Sequence, residues 1–207
     1  MPASPPSTWN HTAHYHQVLL QAVPVPSRRA LDVGCGEGAF ARRLAQQVEL
    51  VDAWDRSAEV IARAQLLSKG VSNIRFTAAD FLTHPLEPSS YDFIAALATL
   101  HHLPFAAAIE RMKVALRPGG VLGVIGLYRA RSPMDPLLSA VALPVSRFYR
   151  LARGLAEVNA PISEPSMTLN EIRDATAQLL PGAVVRRHLL WRYCLVWTKP
   201  SESQSQS

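Results

Sequence analysis

A glycine-rich segment is the part of this chain whose residues most clearly suggest chemistry. Residues 31–38 read LDVGCGEG and join an apolar run to a helical pattern. Glycine lets the backbone turn tightly and approach a ligand closely, and the amino end of the following helix offers free amides. Gly34, Gly36 and Ala39 also fit the G-x-G-x-x-A pattern of dinucleotide-binding turns. The segment therefore predicts a binding turn at the carboxyl end of a strand.

Two acidic residues follow the next two candidate strands. Asp55 ends the second apolar run, at the place where a carboxylate can accept both hydroxyls of a ribose. Asp80 follows the third run, where it could accept from an exocyclic adenine amino group, with Phe81 flanking the ring. Each acid could instead be a helix N-cap or a turn residue. Three such features at the carboxyl ends of strands together favour a nucleoside-containing ligand.

The elements that must position these residues alternate along the chain, because short apolar runs are separated by helical patterns. Strands are predicted at Ala30–Val33, Glu49–Trp54, Ile74–Ala78, Tyr91–Leu97 and Val121–Leu127, and helices at Gln17–Val23, Phe40–Gln47, Ala58–Ser68 and Ala106–Leu116. Thr168 and Glu171 indicate the capping box of a later helix. Residues 183–198 predict two closing antiparallel strands. This pattern indicates an α/β fold with a mainly parallel sheet.

Residues 129–165 interrupt the alternation, and a helix is predicted over residues 137–155 within them. A long insertion in a compact domain is often a lid or a substrate-binding element. Its arginines could favour an anionic acceptor or simply form a solvated helix face; they are Arg129, Arg131, Arg147, Arg150 and Arg153. We predict one domain over residues 9–199, between disordered ends at 1–8 and 200–207.

Composition narrows the class of protein. The chain has 207 residues, of which 48% are apolar, enough for one domain with a sizeable core. It lacks an apolar run of the roughly 18 residues that span a bilayer, and its first residues lack the pattern of a secretory signal. Cys35 and Cys194 are too far apart for a cysteine-cluster metal site. The net charge of +5 comes from scattered arginines rather than long basic runs. A cytoplasmic protein without a metal is expected.

The glycine segment, Asp55, Asp80 and the turn of residues 116–122 (LRPGGVL) together resemble the class I S-adenosylmethionine-dependent methyltransferases. The small-molecule branch, similar to quinone-biosynthesis enzymes, is the best match. The resemblance covers about residues 28–127. It implies a Rossmann-like, doubly wound, mainly parallel seven-stranded sheet with an antiparallel last strand, here with a helical lid insertion. It also implies S-adenosylmethionine as methyl donor and S-adenosylhomocysteine as product.

The same resemblance implies roles for individual residues. Asp32 and the glycine backbone would hold the methionine portion of the cofactor, Asp55 the ribose, and Asp80 with the Phe81 backbone the adenine. The complete set of expected cofactor-binding residues is Tyr15, Asp32, Gly34, Cys35, Gly36, Gly38, Asp55, Arg56, Asp80, Phe81 and Leu97. Asp32 and Gly38 are atypical of nicotinamide enzymes, so an NAD(P)-dependent oxidoreductase remains only as an alternative.

Two histidines could remove a proton from the methyl acceptor, since the ordinary histidine pKa of about 6.5 suits a general base. His101 follows the fourth strand and is preferred to His102, which is better placed to cap the next helix. His16 is the second candidate, in the aromatic segment of residues 9–16. Tyr15 and His16 would line the pocket if the first helix folds over the cofactor. The alternative is that they only pack on the sheet.

The acceptor is predicted to be a small molecule, methylated by direct in-line displacement. The fourth strand ends in Leu97-Ala98-Thr99-Leu100 rather than the Asn/Asp-Pro-Pro-aromatic sequence of enzymes that methylate bases or amides. DNA methylation is thereby disfavoured, whereas an RNA-directed methyltransferase stays as an alternative. No membrane partner is expected, and the protein would be a monomer or homodimer.

Overall fold

The computed structural model describes residues 11–129, 165–188 and 191–201. Its strands are β1 Arg29–Val33, β2 Leu50–Asp55, β3 Ile74–Ala78, β4 Tyr91–Leu97, β5 Leu116–Leu127, β6 Val184–His188 and β7 Arg192–Thr198. Its helices are α1 His11–Leu20, α2 Ala39–Leu44, α3 Ala58–Leu67, α4 Phe105–Ala115 and α5 Leu169–Leu179, with a 3-10 turn at Leu100–His102. The predicted lid helix over residues 137–155 and the end segments 1–8 and 202–207 lie outside the described residues.

The strands form one seven-stranded sheet in the order β3-β2-β1-β4-β5-β7-β6. Neighbouring strands from β3 to β5 run parallel, as crossover helices require. β7 runs antiparallel to both of its neighbours, β5 and β6. The predicted mainly parallel α/β sheet with an antiparallel last strand is confirmed.

Each face of the sheet carries its own buried core. On one face α1 and α2 pack through side chains such as Leu19, Phe40 and Leu44. On the other face α4 and α5 pack through Ile109 and Ile172. Successive strand residues point to opposite faces, so in β1 Leu31 joins the second core while Asp32 points under α1 and α2. The fold therefore places an acid within an apolar layer.

Two elements begin several residues before the predicted position, whereas the other starts agree to within one residue. The first helix is α1, His11–Leu20, rather than Gln17–Val23; it ends earlier because its last turn tightens through the Ala22 and Val23 amides ahead of Pro24. β5 begins at Leu116, which pairs with Tyr91 before the glycine turn, rather than at Val121. None of the helices in the described part of the chain combines the length and apolar character that a bilayer span requires.

Candidate functional site

A cleft of about 320 Å³ opens at the carboxyl edge of β1, β4 and β5. The predicted site residues that line it are Tyr15, His16, Asp32, Gly34, Cys35, Gly36 and Leu97. Sequence reasoning missed the remaining lining residues, which are Ala39, Phe40, Ala98, Ile125 and Arg192. The structure thus brings the glycine segment, the first helix and the end of the fourth strand together around one cavity.

The glycine segment forms the floor of one end of the cleft. The φ angles of Gly34 and Gly36, 69° and 52°, lie in the left-handed region that favours glycine. The Gly34 and Cys35 amides donate to the Trp54 carbonyl at 2.8 and 2.9 Å, which fixes the loop to β2. A Cβ at Gly34 would overlap the Thr99 side chain, whereas nothing lies within 4 Å of one at Gly36. A ligand can therefore approach the backbone at Gly36.

Asp32 lies beside this loop as an unsatisfied buried acid. Its exposed fraction is 1%, and its Oδ2 has no hydrogen-bond partner among the described residues. Burial and then the charge of Asp55 raise the pKa of Asp32 to about 7, although a hydrogen bond from the Ala41 backbone opposes both. A buried carboxylate oxygen without a partner is costly. A ligand ammonium group would complete this site.

Asp55 connects the glycine loop to the end of β2. Its Oδ2 accepts from the Gly36 amide at 3.1 Å and its Oδ1 from the Ser57 amide at 3.0 Å. A carboxylate has about four lone-pair positions, so both oxygens can still accept from ligand hydroxyls. Asp55 does not line the cleft itself but lies one strand away from Asp32, and the adjacent Arg56 is exposed.

The predicted adenine-binding residues and Gly38 lie outside the lining of this cleft. Asp80 is exposed, and its Oδ1 accepts from the Leu82 amide at 2.8 Å. Phe81 is 5% exposed, with its ring 6.4 Å from that of Trp54 in the core. The Phe81 ring is therefore not free to flank an adenine base. The backbone that follows β3 is the part of this segment that can still contact the base. Gly38, with φ 74°, is the N-cap of α2.

The two candidate bases occupy different surroundings. His16 lines the cleft, with its ring 5.2 Å from that of Phe40, and burial together with the Arg43 charge lowers its pKa to about 4. His101 lies outside the cleft lining, its Nδ1 buried without a partner among the described residues. Burial, then the charges of His102 and Arg192, lower the pKa of His101 to about 4. Both imidazoles are neutral at pH 7. The expected capping by His102 is wrong, because α4 begins after Pro104 without a side-chain cap.

The family of this chain follows from its similarity to known proteins. A family model described as a methyltransferase domain matches residues 30–120. An uncharacterized methyltransferase of Mycobacterium tuberculosis is 36% identical over 196 residues, which cover 93% of this chain and 98% of the relative. The chain belongs to the methyltransferase family.

Two further proteins resemble this methyltransferase over part of the sequence or in fold. The ubiquinone biosynthesis O-methyltransferase of Xylella fastidiosa is 38% identical over 115 residues, 54% of this chain and 46% of that protein. The crystal structure of a SAM-dependent methyltransferase from Aquifex aeolicus superposes with a TM-score of 0.61 at 18% identity, covering 88% of each chain. The predictions of a Rossmann-like α/β fold and of methyltransferase activity are confirmed.

Among the residues that line the cleft of the methyltransferase, Arg192 is the hardest to predict from the sequence. It is the first residue of β7 and pairs with Leu127 at the end of β5. Its guanidinium carbon lies 5.3 Å from the centre of the Tyr15 ring. No motif marks it in the sequence, because only the antiparallel pairing of β7 with β5 carries it to the cleft edge.

Proposed function

We propose that the methyltransferase binds the methionine end of S-adenosylmethionine at Asp32 and the glycine loop, binds the ribose at Asp55, and methylates a small-molecule acceptor. The observation that carries this proposal is the unpartnered Oδ2 of buried Asp32 beside the open backbone of Gly36. An ammonium group supplies the missing partner, and charge-assisted hydrogen bonds of this kind are the strong ones.

The acceptor would enter the half of the cleft that the ends of β4 and β5 line. Leu97, Ala98 and Ile125 give this half an apolar wall. A volume of about 320 Å³ lies at the lower end of the range for small-molecule sites. A wall of this kind can contact an apolar part of a small acceptor.

The donor supplies a methyl group on a sulfonium, whose thioether leaves without protonation. The protein's contribution is then to hold the acceptor atom in line with that methyl group. A neutral imidazole can also take the acceptor's proton. We assign this role to His16 rather than His101, because His16 lines the cleft.

Calorimetry with S-adenosylhomocysteine and with NADH tests the donor site. S-adenosylhomocysteine should bind and raise the melting temperature, since a ligand that binds only the native state stabilises it. Tight binding of NADH without binding of S-adenosylhomocysteine would contradict the proposal. Asp32→Asn keeps the shape and removes the charge, so it should weaken S-adenosylhomocysteine binding while leaving the fold intact.

The base is tested by comparing His16→Gln with His101→Gln. We expect His16→Gln to lower kcat about 100-fold or more, within the usual range for a general base, with little change in S-adenosylhomocysteine affinity. His101→Gln should change kcat far less. A larger loss in His101→Gln would reverse the assignment, and equal small losses would show that positioning alone suffices.

A further inference from the structure

The cleft carries opposite charges at its two ends. Asp32 is on β1, and Arg192 begins β7. The sheet order from one to the other is β1, β4, β5, β7, so three strand spacings of about 4.8 Å each separate their backbones. The acid has an explanation in the ammonium of the methyl donor, whereas the arginine has no role in the function proposed above.

Arg192 is held in place but has unused hydrogen-bond donors. It stacks on the Tyr15 ring, and that ring meets His188 edge-on at 5.5 Å. Its Nε is buried without a hydrogen-bond partner, and no acidic side chain pairs with it within the described ranges 11–129, 165–188 and 191–201. A half-buried guanidinium with five N–H donors and no acidic partner in the described part of the chain is suited to bind an anion.

The position of Arg192 shows at which end of the cleft its charge lies. Arg192 pairs with Leu127 at the end of β5, lies beside the Tyr15 ring and is three strand spacings from β1, which carries Asp32. Burial, His102 and then Arg192 lower the pKa of His101, whereas burial raises the pKa of Tyr15 and Arg192 opposes this. The guanidinium therefore lies away from the place where the methionine portion of the donor would bind.

We propose that Arg192 binds an oxyanion of the acceptor, in the simplest case a carboxylate, so that this methyltransferase selects small anionic acceptors. The planar guanidinium can form two parallel hydrogen bonds with such a group. The guanidinium lies over the Tyr15 ring, which supports the side chain, and the neighbouring apolar wall of Leu97 and Ile125 accommodates the remainder of the molecule. This inference rests on the proposed function, since it assumes that the acceptor occupies this end of the cleft.

The test uses benzoate and benzamide, which match in shape and differ in charge, as probes of the protein saturated with S-adenosylhomocysteine. Benzoate should bind the wild type at least tenfold more tightly than benzamide. Arg192→Gln should abolish this preference, and Arg192→Lys, which keeps the charge without the planar fork, should retain part of it. Arg186→Gln is the matched control, because Arg186 is an exposed arginine on the neighbouring strand β6.

Two outcomes would overturn the inference. One is benzoate binding the wild type no better than benzamide. The other is Arg192→Gln weakening S-adenosylhomocysteine as much as benzoate, which would assign Arg192 to the donor's carboxylate. The guanidinium NMR signal of Arg192 in the wild type, which should shift on adding benzoate, provides a readout that needs no variant. If the wild type failed to bind S-adenosylhomocysteine, the proposed function itself would be contradicted. This result differs from both outcomes that would overturn the inference about Arg192.

Discussion

Asp32 and Arg192 face one cleft from opposite ends, and the chain delivers them there by different routes. The end that we propose for the donor, the donor end, comes from one continuous stretch, in which Asp32, Gly34 and Gly36 follow each other and Asp55 joins them through the Gly36 amide. The end that we propose for the acceptor, the acceptor end, is assembled from Tyr15 on α1, Leu97 on β4, Ile125 on β5 and Arg192 on β7. The donor end is thus fixed by local sequence, and the acceptor end by the way distant elements pack.

The donor end is a rigid glycine loop, so substitutions in this loop should act on donor binding. The largest effect should follow Gly34→Ala, since a Cβ there would overlap Thr99 and the residue has φ 69°. Left-handed backbone costs a non-glycine residue about 1–2 kcal/mol, and overpacking adds about 1–3 kcal/mol. We expect a loss of roughly 2–5 kcal/mol in the free energy of unfolding, measured by denaturant titration, and a 100-fold or greater loss of S-adenosylhomocysteine affinity.

Gly70→Ala is the control for that prediction. Gly70 has φ 91° with nothing within 4 Å of an added Cβ, so it should show the cost of the backbone conformation alone. Similar losses in both variants would mean that the overlap with Thr99 relaxes without consequence. The glycine loop at the donor end would then be less rigid than we expect.

A smaller effect should follow Asp55→Ala. The variant loses the carboxylate that would accept the ribose hydroxyls and that fixes the Gly36 and Ser57 amides, and each hydrogen bond to a charged group is worth about 1.5–3 kcal/mol. S-adenosylhomocysteine affinity, measured by calorimetry, should fall tenfold or more. Asp80→Ala should cost less, because Asp80 is exposed and accepts from one local amide. Unchanged affinity in Asp55→Ala would remove Asp55 from the donor site.

A change of pH should alter S-adenosylhomocysteine affinity by a similar or smaller factor, through the charge of Asp32 at the donor end. With a pKa of about 7, Asp32 is protonated in the free protein below neutral pH, and an ammonium ligand requires the ionised form. Affinity for S-adenosylhomocysteine should therefore fall about tenfold from pH 8 to pH 6. Asp32→Asn should bind weakly and without this dependence. If both proteins showed the same pH profile, another group would be responsible.

The stability of the free protein should change with pH in the opposite sense. The pKa of Asp32 is higher in the folded than in the unfolded state, so its stabilising effect is complete below pH 4 and lost as pH rises through about 7. Asp32→Asn should consequently gain stability relative to the wild type as pH rises from 5 to 8. Denaturant titration at the two pH values measures this difference, and a constant difference would contradict it.

The smallest effect should come from a site remote from both ends. The Thr168 side chain accepts from the Glu171 amide at 3.3 Å, and the Glu171 carboxylate accepts from the Thr168 amide at 2.7 Å. Thr168→Ala should cost about 1 kcal/mol in the free energy of unfolding, with S-adenosylhomocysteine affinity unchanged. A change in affinity would show that α5 influences the donor end across the sheet.

The sequence was most informative where the chemistry is local. Glycine turns and alternating apolar runs predicted the strands, the glycine loop and the positions of the acids at the end of β2 and after β3, because each signal lies within a few residues. The capping box at Thr168 is confirmed for the same reason.

Residues whose role depends on packing were less accessible. The burial of the Phe81 ring follows from contacts with Trp54 on another strand, and the exclusion of His101 from the cleft lining follows from the 3-10 turn after β4. Arg192 reaches the cleft because β7 inserts between β5 and β6. No spacing rule along the chain contains this information.

The stacking of Arg192 on Tyr15 has a consequence for how the protein is made. A ribosome adds Tyr15 to the chain long before it adds Arg192. Every residue that forms the donor end is likewise translated long before Arg192. The acceptor end cannot form on a nascent chain until β7 emerges, so an incomplete translation product would have the glycine loop but would lack Arg192, to which we assign the choice of acceptor.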